Sequence, residues 1–581
     1  MDALPDLLGR DSLAANVDPY AFLPMASIHL SSVDWIVLCS YLVIVLSIGF
    51  IASRKVKGTA HYFLGNRRFG KTVMIAQSFG TGTHAEMPVS LAGAVYSMGV
   101  SGMWYQWKNL FVTPFYWLLA PLFRRFRRAT MSEVVEDRYG RWMAAFYTAY
   151  SISSLSIDVG SMLKGAAKVI DQATGGAMPL NGVLVGMAAI FIIYSFVGGI
   201  MASAWSDVMQ GMMIIVLSFI VIPLGWSLAG GMAGMKETLG VAKFSLIAPN
   251  GIGPWFIFVL TLNGLIGIVA QPHLIAAVGT GEDEYTCRVG QFYGTLIKRI
   301  CTVGWAVVGL LTATLIARGT FGIKSLSDPE EAFGFACRHL LFPGGIGLLI
   351  ACFLAANMAG CSAFMVDAGA IVTNGLYRKY IAPRRSDYHY LWVGRISGLL
   401  VTLVAVVYAV FFIERVLYSF LLTETMSAFV GVSILGGIIW PRANRWGAIA
   451  SIVAAVLADL LQYQHLHQRL DYWDPNVFGA SLIIGVIALV VVSLVTPSEP
   501  VSASREFREK LQRPSAGDDD SNVESDAART GEQLLIVNAL SLRKGAGGYG
   551  FFHAYRTDLL GFAKGAGLVT LLIGIAIWIF R

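Results

Sequence analysis

Gly80-Thr81-Gly82-Thr83-His84-Ala85-Glu86-Met87-Pro88 is the stretch on which the fold turns. It lies inside an apolar run, from about 73 to 97, that is long enough to cross a bilayer. Two glycines and a proline interrupt a helix there, beside a histidine and a glutamate. An ionisable group at bilayer depth costs on the order of 3 kcal/mol on insertion scales, so each one demands a protein partner, a water-filled cavity or a function. The stretch reads as a broken span whose freed carbonyls and amides line a cavity or hold a ligand. A packed kink, with its polar groups paired to neighbouring helices, is the competing structural reading.

A second interruption falls in a run from about 252 to 277, where Asn263, Gly264 and Gly267 precede Gln271, Pro272 and His273. Five spans separate the two starts when the apolar runs are counted. An odd offset inverts topology. The spacing is therefore that of two five-helix units of opposite orientation whose discontinuous first helices meet at a central site.

The 581 residues are 56% hydrophobic and 14% charged, against roughly 45 to 50% and about 25% in soluble domains. Disorder, a soluble enzyme and a nucleic-acid-binding module are excluded. About fourteen runs of some 20 residues would cross the bilayer, among them 180–200 and 206–228. The expected fold class is an all-α polytopic membrane protein with a five-plus-five inverted-repeat core. Its parts read as an extracytoplasmic N-terminal segment 1–33, a peripheral first span 34–53, a first repeat 73–228, a second repeat 252–440, two accessory spans 445–496, a polar cytoplasmic linker 497–557 and a last span 558–581. The acidic start lacks the order of a cleaved signal, so the first apolar run is expected to stay in the membrane.

Orientation follows loop-by-loop Lys/Arg bias rather than the net charge of +7. Arg54, Lys55, Lys57, Arg67, Arg68 and Lys71 mark one loop as cytoplasmic, and Arg124, Arg125, Arg127, Arg128, Arg138 and Arg141 mark another. Arg378, Lys379, Arg384 and Arg385, then Arg442 and Arg445, share that parity. An even span count places both termini outside the cell membrane. The six cysteines include no CxxC pair and read as small hydrophobes, with no disulfide framework and no metal cluster. The segment 497–557, rich in Ser, Asp, Glu and Arg, reads as a solvated cytoplasmic tether, ahead of a phosphorylation or partner-docking role.

Further ionisable residues fall within the spans: Lys108, Asp158, Lys164, Asp207 and Glu424. Lys108 is close enough to a span end to snorkel, and Asp207 at a helix start would favour the dipole. Asp158 and Lys164 are too far apart in register to share a helix face. Asp158 is the better candidate for a protonatable or solute-contacting group.

Five motifs follow one another in order. They are His61-Tyr62-Phe63-Leu64-Gly65-Asn66-Arg67; Met131-Ser132-Glu133 with Arg138-Tyr139-Gly140; Tyr194-Ser195-Phe196-Val197-Gly198-Gly199 followed by Trp205-Ser206-Asp207 and Gln210; Tyr377-Arg378-Lys379-Tyr380; and Arg442-Ala443-Asn444-Arg445-Trp446-Gly447-Ala448. In this order, from about Asp34 to Val495, the chain resembles the sodium:solute symporter family, which includes sugar, proline and pantothenate carriers. The resemblance implies ten core helices, alternating access and a midplane site. It places sodium on the carbonyls of Gly80 and Thr83 and on Ala356, Ala359 and Gly360 of the ninth span. The last two lack the hydroxyls of the family's pattern, and Asn357 and Ser362 lie off that face.

The resemblance also sets Met87, Gln106 and Asn109 at positions that touch sugar in sugar carriers, without the acid and amide found there. Gln271, Pro272 and His273 resemble the Gln-Pro-His of proline-type and carboxylate-type carriers. With Lys108 or Lys164 to neutralise a carboxylate, an organic acid or amino acid ranks above a sugar. Met87, Gln106, Asn109, Asp158, Gln271 and His273 are the expected solute contacts.

The expectation is a symporter, not an enzyme, that moves a small polar solute with sodium as coupling ion and holds no resident cofactor. A proton carried by His84, Glu86 or Asp158 is the alternative ion. An uncoupled facilitator and a transporter-like solute sensor are the other readings. The partners are the solute and the lipid bilayer, with no nucleic acid, and the oligomeric state is open.

Overall fold

The computed structural model describes residues 30–54, 58–248, 251–467, 473–513, 533–539 and 551–581. Among them the chain is helical, with a single isolated β-bridge between Phe69 and Gly281. Nine helices among the described residues are long and apolar enough to cross a bilayer. Trp104–Arg125 and Arg141–Ala173 have 22 and 33 residues and so are also long enough, at about 1.5 Å of rise per residue. Their hydropathy is lowered by polar side chains that they bury, such as Gln106, Lys108, Ser151 and Lys168.

Both expected breaks are present. Helix Lys71–Thr81 stops at Gly82, and the chain is helical again only from Glu86 to Met98. Pro88 sits in the first turn of the second piece, where its missing N–H has no intrahelical partner to lose. Helix Pro254–Gly267 tightens through the turn Ile268–Ala270, loses helical geometry at Gln271 and resumes at Leu274–Gly279. Pro272 occupies that gap, where it cannot supply the amide a continuous helix needs.

The runs 180–200 and 206–228 meet as two helices at Gly199, within Leu180–Phe219. Gly199 has φ +56 and ψ −156, and the Tyr62 ring fills the space a side chain there would need. Only glycine fits that position. Asp207 therefore lies inside the second of these helices and is fully buried, not at a helix start beside water.

At the centre is Gly345–Ala370, whose apolar stretch is entirely buried. Leu180–Phe219, Arg141–Ala173 and Asp387–Phe411 pack around it. The last span, Arg556–Phe580, lies along Trp104–Arg125, where the Trp117 indole donates to the Thr557 carbonyl at 2.9 Å. Within 497–557 the described residues are 497–513, 533–539 and 551–557. Val501–Gln512 is a helix with Phe507 and Leu511 buried against the cluster that holds Phe126, Met131 and Ile438. Reading the segment by mean composition hid the spacing of those two residues, which share one helix face. Asp518, Asp519 and Asp520 lie outside the described residues.

Candidate functional site

The two breaks face one cavity. Its volume is about 100 Å³, room for several water molecules or one small solute. Thr81, Gly82, His84, Glu86 and Met87 line it from the first break, and Asn263, Gly264, Gln271 and His273 from the second. Phe364 of the central helix joins them. The His273 ring stacks on it at 4.4 Å between centroids, and the His84 ring meets it edge-on at 5.3 Å.

The first break is held by side chains as well as by backbone. His84 Nε2 contacts the Thr81 carbonyl, and Nδ1 lies 3.0 Å from Glu86 Oε1. A carbonyl only accepts, so the hydrogen on that edge belongs to the imidazole. The Lys298 ammonium donates to the Gly82 carbonyl, the group left without a helical partner by the break.

Of the expected solute contacts, Met87, Asn109, Asp158, Gln271 and His273 line the cavity. Gln106 does not. It is buried with both side-chain amide atoms lacking a partner, and its main-chain carbonyl accepts from Arg299 at 3.0 Å. Of the expected sodium positions, Gly80, Thr83, Ala356, Ala359 and Gly360 lie outside the lining, and all of them are buried. Gly360 faces His84: a Cβ there would lie 2.8 Å from His84 Cδ2. Asp207 lies behind Gly80, 3.2 Å from a Cβ built on that glycine. Neither Asp207 carboxylate oxygen meets a hydrogen-bond partner, nor does the Thr83 hydroxyl.

Lys108 does not snorkel. It is fully buried and paired with Glu424 on Val416–Ile439. Lys164 is absent from the cavity wall. The cations that line the cavity are Lys298 and Arg299. Neither is among the candidates read from the sequence. The helix runs from Glu284 to Ala317, so both sit near its middle. The signal was available in Asp283, whose side chain caps the helix by accepting from the Thr286 amide at 2.6 Å.

The profile of the family described as "Sodium:solute symporter family" matches residues 62–455. The chain belongs to that family. A sodium/proline symporter of Salmonella typhimurium is 25% identical over 492 residues, covering 81% of this chain and 94% of that one. A sodium/glucose cotransporter of Vibrio parahaemolyticus is 22% identical over 504 residues, covering 80% and 91%. Among solved structures, a substrate-bound, outward-open Na+-coupled sialic acid symporter superposes with a TM-score of 0.70 at 17% identity, covering 81% of this chain and 99% of that one. That structure shares the fold. As a member of the sodium:solute symporter family, this multi-pass membrane protein is a secondary transporter of a small solute with Na+ as its coupling ion. The charged residues on its cavity wall include Lys298, Arg299, Asp158, Glu86 and Glu424, the last paired with Lys108.

Proposed function

We propose that this symporter carries a small carboxylate-bearing solute, an organic acid or an amino acid, through the cavity between its two broken helices. The observation that carries the reading is the meeting of residues 81–87 and 263–273 on one cavity, with His84 and His273 on the same Phe364 ring. Unwound backbone at bilayer depth is tolerated only where it lines such a hollow. In this reading the chain has fourteen spans, two inverted five-helix repeats and both termini outside the cell, and it works by alternating access.

Sodium is a co-substrate here, not a resident group. The carbonyls of Gly80, Thr83 and Ala356 would supply part of its shell. Ala359 and Gly360 supply no hydroxyl, and Asp207 is the residue suited to replace them. A buried carboxylate with neither oxygen partnered is a costly group that a hard cation satisfies.

The test is uptake of radiolabelled amino-acid and organic-acid mixtures into proteoliposomes, with an inward sodium gradient, a proton gradient or none. Uptake should follow sodium, and Asp207→Asn should remove that dependence. Equal rates with and without the sodium gradient would refute coupling.

A further inference from the structure

The proposed function leaves open whether the solute is an acid or an amino acid, and the charges on the cavity wall decide between them. Three cations are buried at this depth. Lys108 is saturated by Glu424. Lys298 and Arg299 are consecutive on Glu284–Ala317, 8% and 1% exposed. Among the described residues no carboxylate lies within ion-pair distance of either. Lys298 donates its hydrogen bond to the Gly82 carbonyl, which is neutral, with Glu86 and Glu424 further off. Arg299 spends one amino group on the Gln106 carbonyl, and its Nε has no partner.

Two acids line the same cavity without a lysine or arginine partner. Asp158 projects from Arg141–Ala173 beside Thr423. Glu86 leaves Oε2 unmatched while its other oxygen meets His84. The wall thus carries cations and acids near one another, with no ion pair joining Lys298 or Arg299 to Asp158 or Glu86 among the described residues.

Unpaired charges at bilayer depth are costly, and a ligand that supplies the missing partners recovers that cost. A simple carboxylate would satisfy Lys298 and Arg299 but would add a fourth negative group to a wall that already holds Asp158, Glu86 and Glu424, of which only Glu424 has a lysine partner. A sugar or polyol would satisfy neither sign. A small zwitterion satisfies both.

We propose that the solute is an α-amino or α-imino acid bound as its zwitterion. Its carboxylate is held by Lys298 and Arg299, and its amine is held by Asp158, with Glu86 in support. This rests on the transporter reading of the same cavity and goes further by assigning each end of the solute to named residues. The planar guanidinium of Arg299 suits a carboxylate, and the lysine supplies a point charge beside it.

The test uses the full chain, purified in detergent with sodium present, and matched sets built on one skeleton each. L-Alanine is compared with propionate and ethylamine, and L-proline with cyclopentanecarboxylate and pyrrolidine. A pool of the remaining proteinogenic amino acids is compared with a pool of their deaminated counterparts. Thermal stabilisation and calorimetric affinity are the readouts.

One amino-acid set should bind at least about tenfold more tightly than its matched acid and amine, the loss expected when a buried charge is left unpartnered. Lys298→Met and Arg299→Met should weaken the amino acid by about that factor, with recovery in Lys298→Arg. Asp158→Asn should weaken the amino acid but not the deaminated acid. That last variant doubles as a folding control, since it must still bind the acid. Equal or tighter binding of the deaminated acid, or binding confined to neutral solutes, would overturn the zwitterion while leaving sodium-driven transport intact. Loss of all gradient-driven uptake would instead strike the transporter reading itself.

Discussion

Gly360 shows how one residue carries a departure from the family pattern. The resemblance expects a hydroxyl there, yet a Cβ would lie 2.8 Å from His84 Cδ2 and 3.0 Å from Met162 Sδ. The His84 ring cannot move aside freely, because Thr81 and Glu86 hold both its nitrogens. Gly360→Ser should therefore cost stability, on the order of 1 to 3 kcal/mol for an overpacked site, and should gain no sodium affinity. Thermal unfolding in detergent should show the loss and a partial recovery in the double variant His84→Ala/Gly360→Ser. A single variant as stable as the parent, with tighter sodium binding, would contradict this. At this scale the sequence was legible where a residue type was anomalous in itself, as with His84, Glu86 and Asp158. It was not legible for Lys108, whose partner Glu424 lies 316 positions away. A charge read singly looks like a snorkelling end, and the same charge paired is a core contact.

Helices were legible where their interruptions were chemical. Glycine and proline mark both breaks, and the structure stops helices at Thr81 and Gly267. The helix Val501–Gln512 was not legible, because its mean composition is that of a solvated segment while its docking depends on a few contacts. Lys510 donates to Asp137 at 3.0 Å, Arg508 donates to the Ile439 carbonyl at 2.9 Å, and Arg125 donates to the Leu511 carbonyl at 2.9 Å. Asp137 also receives Arg128, at 2.7 and 2.8 Å. Burial alone would raise the Asp137 carboxyl, but the hydrogen bonds from Arg128 and Lys510 outweigh it and hold the carboxyl below the usual aspartate value. A depressed acid contributes stability that is present above its unfolded value, about 3.9, and is lost as pH falls through its folded one. The helix should thus stay docked at neutral pH and loosen in acid below that range. A dye on Ser502→Cys should become accessible to a soluble quencher as pH falls, and Asp137→Asn should expose it already at pH 7. Unchanged quenching in the variant would assign the docking to Phe507 and Leu511 alone.

At the scale of the whole molecule, a carrier must close its cavity at one face while opening it at the other, so the ties at the two ends set which state is populated. Arg125 ties one end: it grips Glu284 through both its Nε and an amino group, at 2.9 and 3.0 Å, and joins the core helix Trp104–Arg125 to Glu284–Ala317. The other end is tied by Lys168, which reaches Asp328 at 2.8 Å, Glu330 at 2.5 Å and the Glu414 carbonyl at 3.0 Å. Glu330 in turn accepts from the Val416 and Leu417 amides at 3.1 and 2.9 Å. It thereby caps the helix Val416–Ile439, which carries Glu424 into the cavity, and a carboxylate at a helix N-terminus is favoured by the dipole as well as by the amides. This one buried acid joins three elements, Arg141–Ala173, the turn Pro329–Glu331 and Val416–Ile439. Glu330→Gln keeps the shape but removes the charge that Lys168 and the helix start share, which should loosen that end selectively. With a cysteine introduced at Met87 on the cavity wall, membrane-impermeant thiol labelling from that face should speed up several-fold relative to the same cysteine in the parent, and sodium should alter the rate in both. Labelling that rises equally from both faces would point to general loosening, and labelling that does not change would remove Glu330 from the closure.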